Sequence, residues 1–167
     1  MYEFFKKLVS YFRTIEIYQT NNNFKSKISK KYKFKTYNKL SNIKSLEILN
    51  YFKEYKNKKK RFKNNCLFLT LSVNNKLVSS GWLFKGKSWI ITEINKYLNV
   101  SNKIIIFDFI TLEQYRNKGY YTKLLKLIRK KFNNKNILIY VLSSNLKSKR
   151  AIKKAGFIFQ KKLRALD

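Results

Sequence analysis

The sequence predicts a single α/β domain of the α+β kind, with a mixed, mostly antiparallel sheet whose central pair of strands is parallel and flanked by helices. Three observations carry this expectation. Ile104 to Ile110 and Ile137 to Leu142 are apolar runs of strand length. Between them, Leu124, Leu125, Ile128 and Phe132 recur at helical spacing, and Lys123, Lys126, Lys130 and Lys131 take the other side, as in the crossover helix of a right-handed βαβ unit. Upstream, Leu67 to Val73 and Leu77 to Phe84 flank the turn-forming cluster Asn74-Asn75-Lys76, which reads as a β-hairpin.

The remaining elements follow in order. Met1 to Tyr18 opens as a helix-like segment and gives way to a strand near Thr14-Ile15-Glu16-Ile17-Tyr18, so residues 1–20 read as a helix and strand extension. Asn21-Asn22-Asn23 marks a loop. Tyr32 to Tyr37 alternates apolar or aromatic with polar residues, the period of a half-buried strand. Ser41 is placed to cap a helix in which Ile43, Leu46, Leu49, Tyr51 or Phe52, and Tyr55 repeat at helical spacing. The basic run Lys56 to Lys63 then ends that helix, either as a solvated, dipole-favoured C-terminus or as a contact for an anionic acceptor. Ser88 to Ile94 reads as a further strand, and Phe157 to Lys162 as a closing one. No internal repeat and no Pro/Gly/Ser linker supports a second domain within the 167 residues.

The most informative segment is the one that leaves the first central strand. Thr111 runs on into Arg116-Asn117-Lys118-Gly119, which opens the crossover helix. A strand, a basic glycine-containing turn and a helix start together favour phosphate, because free N–H groups, the positive end of the helix dipole and two cationic side chains converge. After the second central strand come Ser143-Ser144-Asn145 and a helix-period stretch through Ser148, Ala151 and Ile152 to Ala155-Gly156-Phe157.

Read together, these two segments resemble the GNAT superfamily of acyl-CoA N-acyltransferases over residues 104–157. In that family the loop reads as a basic or Gln residue, two further residues, Gly, one more, then Gly or Ala; here it reads Arg116-Asn117-Lys118-Gly119-Tyr120-Tyr121. The spacing from Leu112 to Gly119 fits, as does that from Asn145 to Gly156-Phe157. The chain departs from the pattern at Tyr121, at Glu113 where Pro is common, and at Ile152, where many relatives place a Tyr general acid.

The resemblance implies that the two central strands splay apart to admit acyl-CoA, acetyl-CoA or a longer homologue. It implies that Phe109, Ile110 and Thr111 face the pantetheine arm, that Arg116, Asn117, Lys118, Gly119, Tyr120 and Tyr121 receive the pyrophosphate, and that Asn145 hydrogen-bonds the pantetheine region. Direct transfer to a primary amine then requires orientation, carbonyl polarisation and removal of a proton. The chain has no His, so the base is a carboxylate or a water held by one. Glu93, among apolar neighbours on an expected strand, is the first candidate, since burial raises a carboxyl pKa toward a useful value. Asp108 is a candidate for orienting the amine, Glu113 falls in an exposed turn, and Tyr121 or Tyr140 is the candidate replacement acid.

Composition sets limits around this reading. A lone Cys66 and the absence of His leave no Cys/His metal site and no imidazole-based nucleophile system, so no metal is expected. Cys66 reads as a small core residue. The net charge is +31, which favours anionic ligands, yet only six of the 39 basic residues are Arg and the rest are Lys. With Asn, Ile, Tyr and Phe abundant, Gly at four and Pro absent, the pattern also fits drift toward AT-rich codons. The rival function class is a basic RNA-binding or ribosome-associated module with this fold and no catalysis, for which Tyr115, Tyr120 and Tyr121 among the loop cations supply stacking surfaces.

The acceptor stays open between an amino sugar of a glycan precursor, a small polyamine-like amine, and a protein N-terminus or Lys. Like charge disfavours a polycation, and the net charge favours an anionic amino-sugar nucleotide. No run reaches the roughly 20 apolar residues of a membrane span, and a cytoplasmic setting is expected. The aromatic N-terminal segment is also compatible with peripheral membrane contact. Monomer and dimer are both open.

Overall fold

The computed structural model describes residues 13–20 and 31–165, so the N-terminal helix-like segment and the Asn21–Asn23 loop lie outside the described residues. The elements are β1 (Thr14–Thr20), β2 (Tyr32–Tyr37), α1 (Leu46–Glu54), β3 (Cys66–Val73), β4 (Lys76–Lys85), β5 (Ser88–Ile91), β6 (Lys96–Asn99), β7 (Lys103–Thr111), α2 (Tyr120–Lys131), β8 (Asn136–Leu142), α3 (Leu146–Lys154) and β9 (Phe157–Arg164). Seven strands form one sheet in the order β2-β3-β4-β7-β8-β1-β9, and β5 pairs with β6 in a separate hairpin. Only β7 and β8 run parallel; every other neighbour in the sheet is antiparallel. None of the described helices is long and apolar enough to cross a membrane.

The central strands read as continuous apolar runs because both faces of the sheet are covered. Ile105 and Phe107 of β7 point to a cluster with Ile48, Tyr51 and Phe52 of α1, together with Phe68, Trp82, Ile91 and Ile94. Ile104 and Ile106 point to the other side, against Leu124, Leu125 and Ile128 of α2 and Ile152 of α3. Burying a single side chain of this size contributes about 1.5–3 kcal/mol, so the two clusters dominate the folding free energy.

Several local expectations are corrected. Helix α1 begins after Ser45, not Ser41, because Leu40–Asn42 forms a separate short 3-10 turn. The basic run winds as a 3-10 segment over Lys56–Asn64, in which Lys56, Lys59, Lys60 and Lys63 are exposed while Lys58 and Arg61 turn to Asp108. The strand expected over residues 88–94 stops at Ile91; a turn through Asn95, at φ 50°, folds the chain back as β6. β1, which reads as part of an extension, is interior to the sheet, paired with β8 on one side and β9 on the other.

Left-handed backbone is needed at more places than four glycines can serve. Asn65, Asn74, Asn75, Asn95, Asn102 and Asn117 all take positive φ, including both central positions of the β3-β4 hairpin turn. Asn tolerates this conformation because its short amide bonds locally to the backbone. The abundance of Asn, a compositional oddity in the sequence, is thereby tied to turn geometry.

Among the described residues, Asp108 is the one at positive φ that is not Asn or Gly, at φ 49° inside β7. There the register with β4 shifts between Ser80 and Trp82, so β7 carries a bulge opposite Gly81. Gly81 is required for space: a Cβ there would lie 2.4 Å from the Phe109 ring. Two cations from the 3-10 segment hold the bulge, with Arg61 Nη1 at 2.5 Å and Lys58 Nζ at 3.0 Å from Asp108 Oδ2. Burial pushes the Asp108 carboxyl pKa up, but hydrogen bonds from Arg61 and Lys58 outweigh it and hold the group below its ordinary value.

A second ion pair ties β1 to the C-terminal half. Glu16 is buried in β1, accepts hydrogen bonds from Tyr18 Oη at 2.5 Å and Lys149 Nζ at 2.7 Å, and so links the strand to α3. Burial raises its pKa, yet the Lys149 and Tyr18 contacts win and depress it overall.

Two outcomes follow. Glu16→Gln strands the Lys149 ammonium, which should cost about 3 kcal/mol and lower Tm by roughly 6–12 °C. A carboxyl with a depressed folded pKa contributes stability above its unfolded value, near pH 4.5 (about), and loses it as pH falls. Denaturant titrations from pH 7 to 3 should therefore show the variant's deficit shrinking toward acid. Asp108→Val should remove both ion pairs and place a β-branched residue at positive φ, while Asp108→Asn keeps a tolerated backbone. Thermal melts should show a Tm loss for Val at least twice that for Asn, and equal losses would refute the bulge argument.

Candidate active site

The parallel pairing of β7 and β8 ends at Ile106 opposite Ile139. Beyond that rung the strands part, and a cleft of about 1070 Å³ opens between Asp108 to Thr111 on one side and Tyr140 to Leu142 on the other. Backbone groups of β7 that would have bonded β8 are thus left facing the cleft. The bulge at Asp108 sits where the strands separate, which accounts for the change of direction.

One end of the cleft reaches the start of α2. A 3-10 turn over Glu113–Tyr115 leads into Arg116, then Asn117 at φ 61° and Gly119 at φ 73°. Gly119 is the N-cap and supplies no capping side chain, so the first-turn N–H groups of α2 are left for a ligand. A Cβ on Gly119 would meet nothing within 4 Å, so glycine is required there by the backbone and not by space.

The sequence-derived candidates Phe109, Ile110, Thr111, Arg116, Asn117, Gly119, Tyr120, Tyr121 and Asn145 all line this cleft, together with Glu93 and Asp108. Lys118 does not; its ammonium turns back to the Gln114 carbonyl at 3.2 Å and the Tyr115 ring. Arg116 leans on the Thr111 carbonyl and on Glu113 but stays largely exposed. Asn145 has two tasks compatible with each other: its Oδ1 caps α3 by accepting from Ser148 N at 3.0 Å, and the residue borders the cleft.

The sequence reading missed one wall. Lys147, Ser148, Arg150, Ala151 and Lys154 of α3 also line the cleft and add three cations. Their spacing of one, three and four residues is a single helical face, a signal available once Asn145 is taken as the cap. Ile152, where relatives place an acid, is fully buried in the core and offers no proton.

A second cavity of about 670 Å³ lies on the other side of the strand pair, bordered by Arg61, Cys66, Phe84, Trp89, Tyr97 and the β5-β6 turn. Glu93, Phe107, Asp108 and Tyr140 line both cavities, so the two spaces meet at these four residues. Glu93 is half-buried in the turn, not on a strand, with its carboxylate accepting from Thr92 Oγ1 at 3.3 Å. Asp108 is ionised and already engaged by two cations, which makes it a poor base. Burial, with the Glu93 charge second, pushes the Tyr140 phenol up to about 12, so it stays protonated at neutral pH. Burial also raises the Tyr121 phenol pKa, but its ring packs at a 48° tilt against Phe109, centroids 5.1 Å apart, and lines the first cleft and not the second. Cys66 is buried, and burial pushes its thiol up to about 11, as suits a core residue.

Comparison with known proteins agrees with this geometry. Residues 32–157 match the model of the acetyltransferase (GNAT) family. Among solved structures, an acetyltransferase of the GNAT family from Colwellia psychrerythraea aligns with TM-score 0.56 and 14% identity over 88% of this chain and 53% of its own. A conserved protein of unknown function from Staphylococcus epidermidis aligns with TM-score 0.58 and 13% identity over 90% of this chain and 59% of its own. At such identity the likeness is one of fold, and the chain spans little more than half the length of these structures. No match is found among curated proteins. The family match over most of the chain and the splayed parallel pair in the structure agree: this protein belongs to the GNAT acetyltransferase family.

Proposed function

We propose that the protein is an acyl-CoA-dependent N-acyltransferase, an acetyl-CoA N-acetyltransferase in its simplest form, acting on a primary amine. The observation that carries this reading is the parting of β7 and β8 after Ile106 and Ile139 directly above the uncapped start of α2. The residues suit acyl-CoA: unpaired strand edges match a pantetheine amide arm, first-turn amides match a pyrophosphate, and Arg116, Lys147, Arg150 and Lys154 surround the cleft. When bound, acyl-CoA supplies the thioester and hence the activated acyl group.

The chain's own residues supply position and proton control. The strand edge from Phe107 to Thr111 orients the arm and leaves backbone N–H groups beside the bulge to polarise a carbonyl. Glu93, the carboxylate at the junction that forms no ion pair among the described residues, takes the proton from the attacking amine, directly or through water. Tyr140, across the junction and protonated, returns a proton to the leaving thiolate. Of the two tyrosine candidates, Tyr140 is preferred to Tyr121 because it borders both of these cavities where Tyr121 borders the first. Aromatic stacking on RNA is less favoured by this geometry: Tyr121 spends its ring on Phe109, and Tyr115 and Tyr120 pack edge to face on each other. A cytoplasmic setting remains part of the proposal.

Two measurements test it. Acetyl-CoA should raise Tm in a high-salt buffer, desulfo-CoA should do so nearly as well and ATP weakly, and Gly119→Glu should abolish the rise by adding a charged side chain in strained backbone at the α2 start. An equal shift with ATP would reduce the loop to a generic anion site. With an acceptor in hand, Tyr140→Phe should lower kcat by about 10²-fold with little change in KM for acetyl-CoA, while Tyr121→Phe should leave kcat within about threefold; the reverse order would reassign the acid.

A further inference from the structure

The second cavity says more about the acceptor than net charge does. Its walls are aromatic and continuous: Trp89 lies 4.3 Å from Phe107 and 4.9 Å from Phe84, ring centre to ring centre, and Tyr140 and Tyr97 complete the lining. Tyr97, on the β5-β6 hairpin, is 73% exposed, an aromatic side chain at the mouth that packing of the core does not explain. At about 670 Å³ the space is of small-ligand size.

Charge in the cavity runs against that of the whole chain. Arg61 is the only cation among the lining residues, and its guanidinium is taken by Asp108 at 2.5 Å and by the faces of Trp82 and Phe107. Glu93 makes no ion pair among the described residues. In a protein of net charge +31, a carboxylate with no ion pair among the described residues, in a cavity whose one lining arginine is already paired, favours a cationic guest. The indole Nε1–H of Trp89 is buried in this wall and bears on the Tyr140 hydroxyl, so the aromatic lining and the junction are joined.

Building on the N-acyltransferase reading, we propose that this cavity is the acceptor subsite and that it selects a small primary amine carried on a flat aromatic body, an arylalkylamine, with the ammonium at Glu93 and the ring among Trp89, Phe107 and Tyr97. The β5-β6 hairpin, which closes one wall, is the specificity element. Glu93 then has two successive roles at one atom pair: it holds the ammonium, and it accepts the proton that the amine must lose before its lone pair attacks the thioester carbon. As the N–C bond forms and the C–S bond breaks, Tyr140 gives its proton to the departing thiolate, and the second proton lost by the acylated nitrogen restores the Tyr140 phenol. An anionic amino-sugar nucleotide, attractive from net charge alone, would meet Glu93 and find no free cation in this cavity.

The test is calorimetric titration of the full chain, without acyl-CoA, with 2-phenylethylamine, 3-phenylpropionate, spermidine and glucosamine 6-phosphate. The expected result is that 2-phenylethylamine binds at least about tenfold tighter than the other three, and that Glu93→Gln and Tyr97→Ser each weaken it by roughly three- to tenfold. Tyr97 is exposed, so its variant is expected to fold normally, and a melt of each variant verifies this. Tighter binding of glucosamine 6-phosphate or spermidine, no saturable heat with 2-phenylethylamine, or wild-type affinity in both variants would overturn the proposal. Because binding is read without cofactor or turnover, failure of the acyl-CoA reading would show separately, as a missing acetyl-CoA stabilisation.

Discussion

The site depends on a single rung of strand pairing. β7 and β8 are joined by parallel hydrogen bonds up to Ile106 and Ile139 and by none beyond, and a sheet in which they stayed paired would have no cleft. The bulge at Asp108 redirects β7 at that point, Gly81 makes room for the displaced Phe109 ring, and Arg61 and Lys58 hold the bulged carboxylate. A left-handed residue within a strand is unfavourable by itself. It persists here because two cations and a packed ring over-determine it, and Asp108 itself borders both cavities.

The basic run over Lys56–Asn64 gains a meaning that neither sequence reading gave it. Its cations are not only solvated, and the two that matter do not await an anionic acceptor; Lys58 and Arg61 point inward to the bulge. Charge in this protein is thus best considered site by site. The first cleft collects Arg116 and three cations of α3, whereas the second cavity has one engaged arginine and two carboxylates. Net charge governs long-range attraction, but the discrimination between guests falls to groups within contact distance.

The N-terminal strand shows how distant sequence can complete a sheet. β1 inserts between β8 and β9, and its buried Glu16 reaches Lys149 of α3, the helix that forms one wall of the cleft. Strand, helix cap at Asn145 and cleft wall are therefore mechanically connected. Arg129 closes the same region from the other side, donating from Nη1 to the Ala155 carbonyl at the end of α3.

The sequence by itself determined the local elements and the loop that opens α2. Apolar runs flanked by polar turns fix the strands at Ile104, Ile137 and the Asn74-Asn75 hairpin, and the helical period fixes α2, because these signals arise from neighbours a few residues apart. The loop from Arg116 to Gly119 was equally legible, since its geometry is built within one short segment. Tertiary structure decided the rest: the place of β1 in the sheet, the bulge and its two cations 47 and 50 residues away in sequence, the turn that carries Glu93, and the meeting of Glu93, Phe107, Asp108 and Tyr140 between the two cavities. Each of these depends on which distant segments the closed sheet brings face to face, and no periodicity within a single segment encodes that.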